Sequence, residues 1–253
     1  MKNVVTRLVS PADAKRADAA PEAKGAAAKP SDYLNQYCEA RLCNEAVPGL
    51  SSPLDQALLV AAAAKKLEEL FDILRIDHAN DHNTRDTPQR VAKMMVHETL
   101  RGRYMAPPDI TDFENAEGVD NLIVTGPIDL RSTCAHHMMP IYGEAFVGIV
   151  PARDGKIIGL SKYDRIVDYF ASRLQIQEEL VKQIGNFIVE KTAPRGLAVR
   201  ISAVHMCKTH RGVRASHHSR MINTAYFGTL AEAPDLKAQF LQECIALETS
   251  QPC

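Results

Sequence analysis

The sequence predicts an α+β fold built on an antiparallel sheet, and three observations carry that reading. Beyond residue 120, several short segments alternate apolar and polar residues with the period of two that strands impose. Two amphipathic segments in direct succession, "KYDRIVDYFASR" and "IQEELVKQIGNFIVEKT", interrupt those strands with helical spacing. Upstream, residues 53 to 105 keep a helical period. Strands, then two helices, then strands give antiparallel neighbours, because a parallel sheet needs a crossover between each pair.

Taken in order, residues 1 to 52 read as a disordered extension. "ADAKRADAAPEAKGAAAKP" lacks large apolar side chains and cannot offset the entropy of ordering itself. A helical region covers residues 53 to 105. "SSPLDQALLVAAAAKKLEELFDIL" begins with serines ahead of a proline and carries Leu58, Ala61, Ala62, Lys65, Leu67 and Leu70 at near-helical spacing. After the polar loop "DHANDHN", the segment "TPQRVAKMMVHETL" restarts a helix, with Thr87 as cap and Pro88 in the first turn. Its apolar side is Val91, Met94, Met95 and Leu100.

The main domain occupies residues 106 to 253. "NLIVTGPIDLRSTC" and "GEAFVGIV" are strands, and "ARDGK" joins the second to "IIGLS" in a hairpin. After the two central helices, "LAVRISAVHMC" and "RMINTAYFGTL" are two further strands. "APDLKAQFLQECIAL" is a closing helix.

Composition narrows the class. A formal net charge of −1 argues against a dedicated nucleic-acid binder, so any anion site must be a local cluster. The longest apolar run, "ALLVAAAA", is far shorter than the ~18 residues a membrane span requires. Cysteines at 38, 43, 134, 207, 244 and 253 show no regular framework, which suits a reducing compartment and a cytoplasmic location. Cys38, Cys43, Cys244 and Cys253 read as free thiols.

Three clusters carry chemistry. The first is "TCAHH" with "AVHMC". If the second segment stays extended, His205 and Cys207 share a strand face, and pairing with the strand that ends in Cys134 brings two sulfurs together. With one of the adjacent histidines, His136 or His137, they form a Cys₂His set with an open fourth position, the catalytic arrangement for zinc. A buried structural cysteine beside two ordinary histidines remains the plainer account. The second cluster is "IIGLSKYDR", where Ser161 and Asp164 make a capping box. The same helix start offers unpaired N–H groups with Lys162 and Arg165, while "THRGVR" adds Arg211 and Arg214. Singly these are solvated surface charges; together they suit a phosphate chain. The third is "LQIQEEL". The stripe Leu180, Val181, Ile184, Phe187 and Ile188, extended backwards, lands on Gln177 with Glu178 at its border. Either that first turn projects past the core, or the carboxylate faces a cavity and accepts paired N–H donors such as a guanine edge.

The stretches "STCAHH", "IIGLSKYDRIV", "RLQIQEEL" and "AVHMCKTHRGV", with "DTPQRVAKM" upstream, resemble the GTP cyclohydrolase I family. The likeness spans roughly residues 55 to 230 and several motifs fall in the family's order. It implies a tunnelling fold: a four-stranded antiparallel sheet with two helices inserted between its second and third strands, assembled into a toroidal homodecamer. It implies hydrolytic opening of the GTP imidazole ring, release of formate and formation of 7,8-dihydroneopterin triphosphate, the first step towards tetrahydrofolate and related pterins. Carried over by position, Cys134, His137 and Cys207 are zinc ligands, and His136 and His205 are proton-transfer residues. Gln177 and Glu178 hold the guanine edge; Ser161, Lys162, Arg165 and Arg211 line ribose and triphosphate, with Arg90 donated by a neighbouring subunit. Two departures stand out. Ala135 occupies a position where the family usually has glutamate, and "RASHHSRMINTAYFG" replaces a segment commonly rich in small hydroxyl residues. Both are signs of the alternative reading, a catalytically impaired purine- or pterin-binding homologue of the same fold.

Overall fold

The structure, a computed structural model, describes residues 40–47 and 49–249. The expected extension therefore lies mostly outside the described residues. Its last stretch is packed: Arg103 donates to the carbonyls of Leu42 and Cys43, and Val47 and Leu50 are buried.

Helices α1 (Pro53–Ile73) and α2 (Thr87–Met94) come first. The Ser52 hydroxyl accepts from the Asp55 N–H at 3.1 Å, and the Asp55 carboxylate accepts from the Ser52 N–H at 3.3 Å. With Pro53 in the first turn, that capping box fixes where α1 starts. α2 starts at the residue expected to cap it, with Thr87 already helical and Asp86, one residue earlier, flanking it. It continues into a π-helical turn, Met95–Thr99, and a 3₁₀ turn, Arg101–Arg103. The apolar stripe of α1 differs from the expected one. Val60 and Ala64 are the buried positions, packed on Ala92 and Val96, while Ala61, Lys65 and Leu70 are exposed. Four consecutive alanines are apolar on every side, so α2 decides which face of α1 turns inward.

Strands β1 (Asp112–Glu114), β2 (Ile123–Cys134), β3 (Pro140–Val150) and β4 (Lys156–Ile158) follow, then α3 (Leu160–Ala171), β5 (Leu174–Gln175) and α4 (Gln177–Thr192). The chain ends with β6 (Gly196–His205), α5 (Met206–Thr209), β7 (Arg220–Gly228), α6 (Thr229–Glu232) and α7 (Pro234–Thr249). The sheet order is β5-β2-β3-β6-β7: the four long strands are antiparallel, and the two-residue β5 adds to β2 in parallel. The α+β class is thus observed. The expected hairpin between β3 and residues 157–161 is not. β2 and β6 occupy both edges of β3, so β4 pairs instead with β1 in a separate two-stranded sheet.

Alternation along the central strands serves two cores. Ala145, Val147, Val199 and Ile201 face α3 and α4, which return Ile166, Val167, Leu180, Ile184 and Ile188. Phe146, Val150 and Ala198 face the other way, towards Leu230, Phe240 and Cys244 of α6 and α7. The α4 stripe expected from the sequence is therefore the one that packs, each large side chain contributing about 1.5–3 kcal/mol over exposure. Arg173 lies under α3, 4% exposed, and donates to Gly102 O at 3.1 Å and Asn44 O at 2.8 Å. Its guanidinium also sits 4.4 Å from the Tyr169 ring centroid, tying the 42–47 segment to the sheet layer.

Candidate metal centre

The end of β2 and the end of β6 meet at one corner of the sheet. Thr133 and Cys134 pair with Leu174 and Gln175, which fixes the height of Cys134. The chain then reverses in a tight turn. Met138 N–H donates to Cys134 O at 2.9 Å, Cys134 N–H to Met139 O at 2.8 Å, and Met138 takes φ +52°. Cys134 is buried at 3%, while His136 and His137 project from the turn and are exposed. Across β3, His205 lies opposite Ile141.

The strand expected to run through Cys207 stops at His205. β6 has no partner on β7 beyond Val204 and none on β3 beyond His205, so the chain folds into the single turn α5. Cys207 sits on that turn, not two residues along a strand. It still reaches its expected neighbour: ligand atoms of Cys134, His205 and Cys207 all lie within 4.8 Å of one another. Burial, and then the facing Cys134 thiol, push the Cys207 thiol above its ordinary range. Burial lowers His205, opposed by the Glu178 carboxylate and reinforced by Lys208. Two sulfurs and an imidazole are a donor set that a divalent cation fits. Its charge supplies what the thiolates lack, and cysteine with histidine suits zinc.

The remaining expected residues are placed as follows. His136 Nδ1 lies 3.8 Å from Cys134 Sγ. The His137 ring is turned towards Arg211, with Nε2 3.0 Å from Nη1, and is not part of the three-residue cluster. Ser161, Lys162 and Arg165 lie on the first turns of α3, as expected, but the capping box there is corrected. Gly159 precedes the helix, and no side chain caps it. Ser161 already lies inside the first turn, and Lys162 Nζ donates to Asp109 O at 2.9 Å. Arg90 on α2 pairs with Asp86 at 3.2 Å. Glu178 is exposed at the start of α4, whereas Gln177 is 1% exposed and wholly engaged inside the protein. The Gln177 Nε2 amide donates to Ile201 O, Met221 O and Asn223 Oδ1, and Oε1 faces His205 Nε2 at 2.7 Å. Asn223 is a residue the sequence reading passed over. Its signal was an asparagine in the middle of a strand otherwise rich in apolar and aromatic side chains, where asparagine is disfavoured.

A groove of about 610 Å³ runs between the 98–101 turns and the β2–β3 end, lined by Arg131, Thr133, Tyr142 and Asp168 among others. It holds none of the expected site residues and no cysteine or histidine. Its size alone does not make it the reaction site; the donor chemistry lies at the sheet corner.

A sequence model of GTP cyclohydrolase I matches residues 63–245. The chain belongs to the GTP cyclohydrolase I family. Its relatives include GTP cyclohydrolase 1 of Sulfolobus acidocaldarius, 35% identical over 191 residues that cover 74% of this chain and 90% of the relative. GTP cyclohydrolase 1 of Brucella suis is 40% identical, over 62% of this chain and 72% of the relative. That of Thermobifida fusca is 37% identical, over 61% and 73%. The matched span includes every candidate site residue from Arg90 to Arg211.

Proposed function

We propose that this chain is a zinc-dependent GTP cyclohydrolase I that opens the imidazole ring of GTP by hydrolysis, releases formate and forms 7,8-dihydroneopterin triphosphate. The observation that carries the reading is the convergence of Cys134, Cys207 and an imidazole at the sheet corner, in a chain of this family. We assign Cys134 and Cys207 as metal ligands, with His137 as the third when its ring leaves Arg211. Zinc bound there supplies a Lewis acid and a water acidic enough to ionise near neutral pH.

The chain's own groups do the rest. His136 and His205 stand beside the sulfurs and move protons to and from the ring nitrogens of the purine, since a neutral imidazole offers one nitrogen that donates and one that accepts. Glu178, exposed at the α4 start, accepts the N1–H and amino group of guanine as a parallel pair. Ser161, Lys162, Arg165 and Arg211 take the ribose and triphosphate, keeping the opened intermediate in place until it recloses as a pterin. Arg90 completes the site from a neighbouring subunit.

The tunnelling fold and a ring-shaped homo-oligomer, a decamer by the resemblance, belong to the same proposal. β7 is an edge strand, and Leu70, Ile73, Leu74 and Ile222 are exposed, which favours self-association. No described helix is long and apolar enough to cross a membrane.

The test is incubation of metal-replete protein with GTP, reading formate and, after oxidation, neopterin fluorescence. Absence of both defeats the proposal. Cys207→Ser should lose bound zinc and turnover together, as read by elemental analysis; full zinc occupancy in that variant overturns the ligand set.

A further inference from the structure

Gln177 connects three elements, and its amide can point only one way. Its nitrogen faces three acceptors: Ile201 O at 3.2 Å, Met221 O at 3.1 Å and Asn223 Oδ1 at 2.7 Å. Rotating the amide by 180° would set its carbonyl oxygen against the backbone carbonyl oxygens of Ile201 and Met221, two buried acceptors that cannot turn into donors. The oxygen must therefore face His205, whose Nε2 lies 2.7 Å away. An oxygen acceptor at that distance requires a proton on Nε2. In a neutral imidazole only one nitrogen carries the proton, so Nδ1 holds the free lone pair.

We propose that Gln177 is a positioning residue that fixes His205 as the Nε2–H tautomer. Asn223 of β7 and the carbonyl oxygens of Ile201 and Met221 set the direction of the amide, and Nδ1 is thereby the His205 nitrogen left with a free lone pair. This rests on the functional reading above and departs from what the resemblance implies for one residue: Gln177 acts through His205 and not on the guanine edge. A single carboxamide can do this because it offers two donors on one side and an acceptor on the other. It is 1% exposed, so water cannot substitute for either. Such outer partners of a site imidazole typically matter ~10–100-fold in metal affinity or activity.

The test has two independent readouts. The first uses metal-free protein labelled with ¹⁵N at histidine. Solid-state spectra, with His205 assigned by difference from His205→Asn, report which ring nitrogen carries the proton. Wild type should show His205 protonated at Nε2. Finding it protonated at Nδ1 overturns the proposal whether or not the protein turns over GTP. The second is kinetic. Gln177→Met keeps length and loses both polar functions, so kcat should fall ~10–100-fold with KM for GTP little changed. A rise in KM at unchanged kcat would place Gln177 on the substrate and sink the idea. Should Gln177→Met not fold, Asn223→Leu removes one of the three acceptors and should produce a mixed His205 tautomer; an unaltered single tautomer contradicts the role given to Asn223. Wild type without turnover would defeat the catalytic reading and leave the tautomer result standing by itself.

Discussion

Gly143→Ala tests whether the close approach of β3 and β6 positions the candidate centre. Gly143 lies opposite Ala203, two residues before His205. A Cβ at 143 would stand 2.1 Å from Ser202 O and 2.7 Å from Ala203 Cα, both backbone atoms. Carbon and oxygen come no nearer than about 3.3 Å even in weak C–H···O contacts, so the strands must part by roughly 1 Å. Overpacking of this kind costs about 1–3 kcal/mol, and the upper end applies because no side chain can swing away. For a chain of this size each kcal/mol lowers Tm by about 2–4 °C. The same shift carries the end of β6, and a 1 Å misplacement at a reacting centre costs on the order of 10²-fold in rate. Thermal melts, zinc content and formate release from GTP read the three effects. Gly159→Ala is the stability control, since its nearest new neighbour is Phe113 Cε2 at 4.0 Å. If Gly143→Ala melts within about 1 °C of wild type and keeps the wild-type rate, the strand spacing does not set the site.

Three further outcomes follow from the same geometry. Glu178→Gln should raise KM for GTP about tenfold or more with kcat little changed, because a charge-assisted hydrogen bond contributes ~1.5–3 kcal/mol; an unchanged KM in steady-state assays takes Glu178 off the guanine. Arg173→Ala strands Gly102 O, leaves Asn44 O only the longer bond from Gln183 Nε2 at 3.4 Å and removes the stacking on Tyr169, so a loss of about 3 kcal/mol is expected in urea unfolding; a loss under ~0.5 kcal/mol would show the clamp to be dispensable. Burial pushes the Cys244 thiol and the Tyr163 phenol up to about 12 each. Both stay protonated in the folded state where the unfolded chain would ionise, so stability is full below about pH 9 and falls as pH rises towards 12. At pH 8 iodoacetamide should leave Cys244 unmodified until urea unfolds the protein, as peptide mass spectrometry would show; labelling of folded protein contradicts the burial.

The extent to which the chain announced its own structure varies by residue. The α4 stripe Leu180, Val181, Ile184 and Ile188 was readable because helical spacing alone places them on one face. The strands were readable from alternation. The two sulfurs do meet, but not by the expected pairing of their strands, because β3 lies between β2 and β6. The capping of α1 was written in Ser52, Pro53 and Asp55. By contrast, the partner of β4, the inward face of α1 and the turn that carries Cys207 were misjudged. Each depends on which edges and faces other elements had already occupied.

Local sequence, then, determined what repeats locally: the class of fold, the helix faces and strand periods, and the presence of two thiols and several imidazoles in the right order. Periodicity fixes which side chains share a surface, because backbone geometry does so residue by residue. Only the tertiary structure decided that His205 joins Cys134 and Cys207, that His137 rests on Arg211, and that Gln177 is held by Asn223. Those contacts form between distant segments, where strand register and burial set distances that no local pattern encodes.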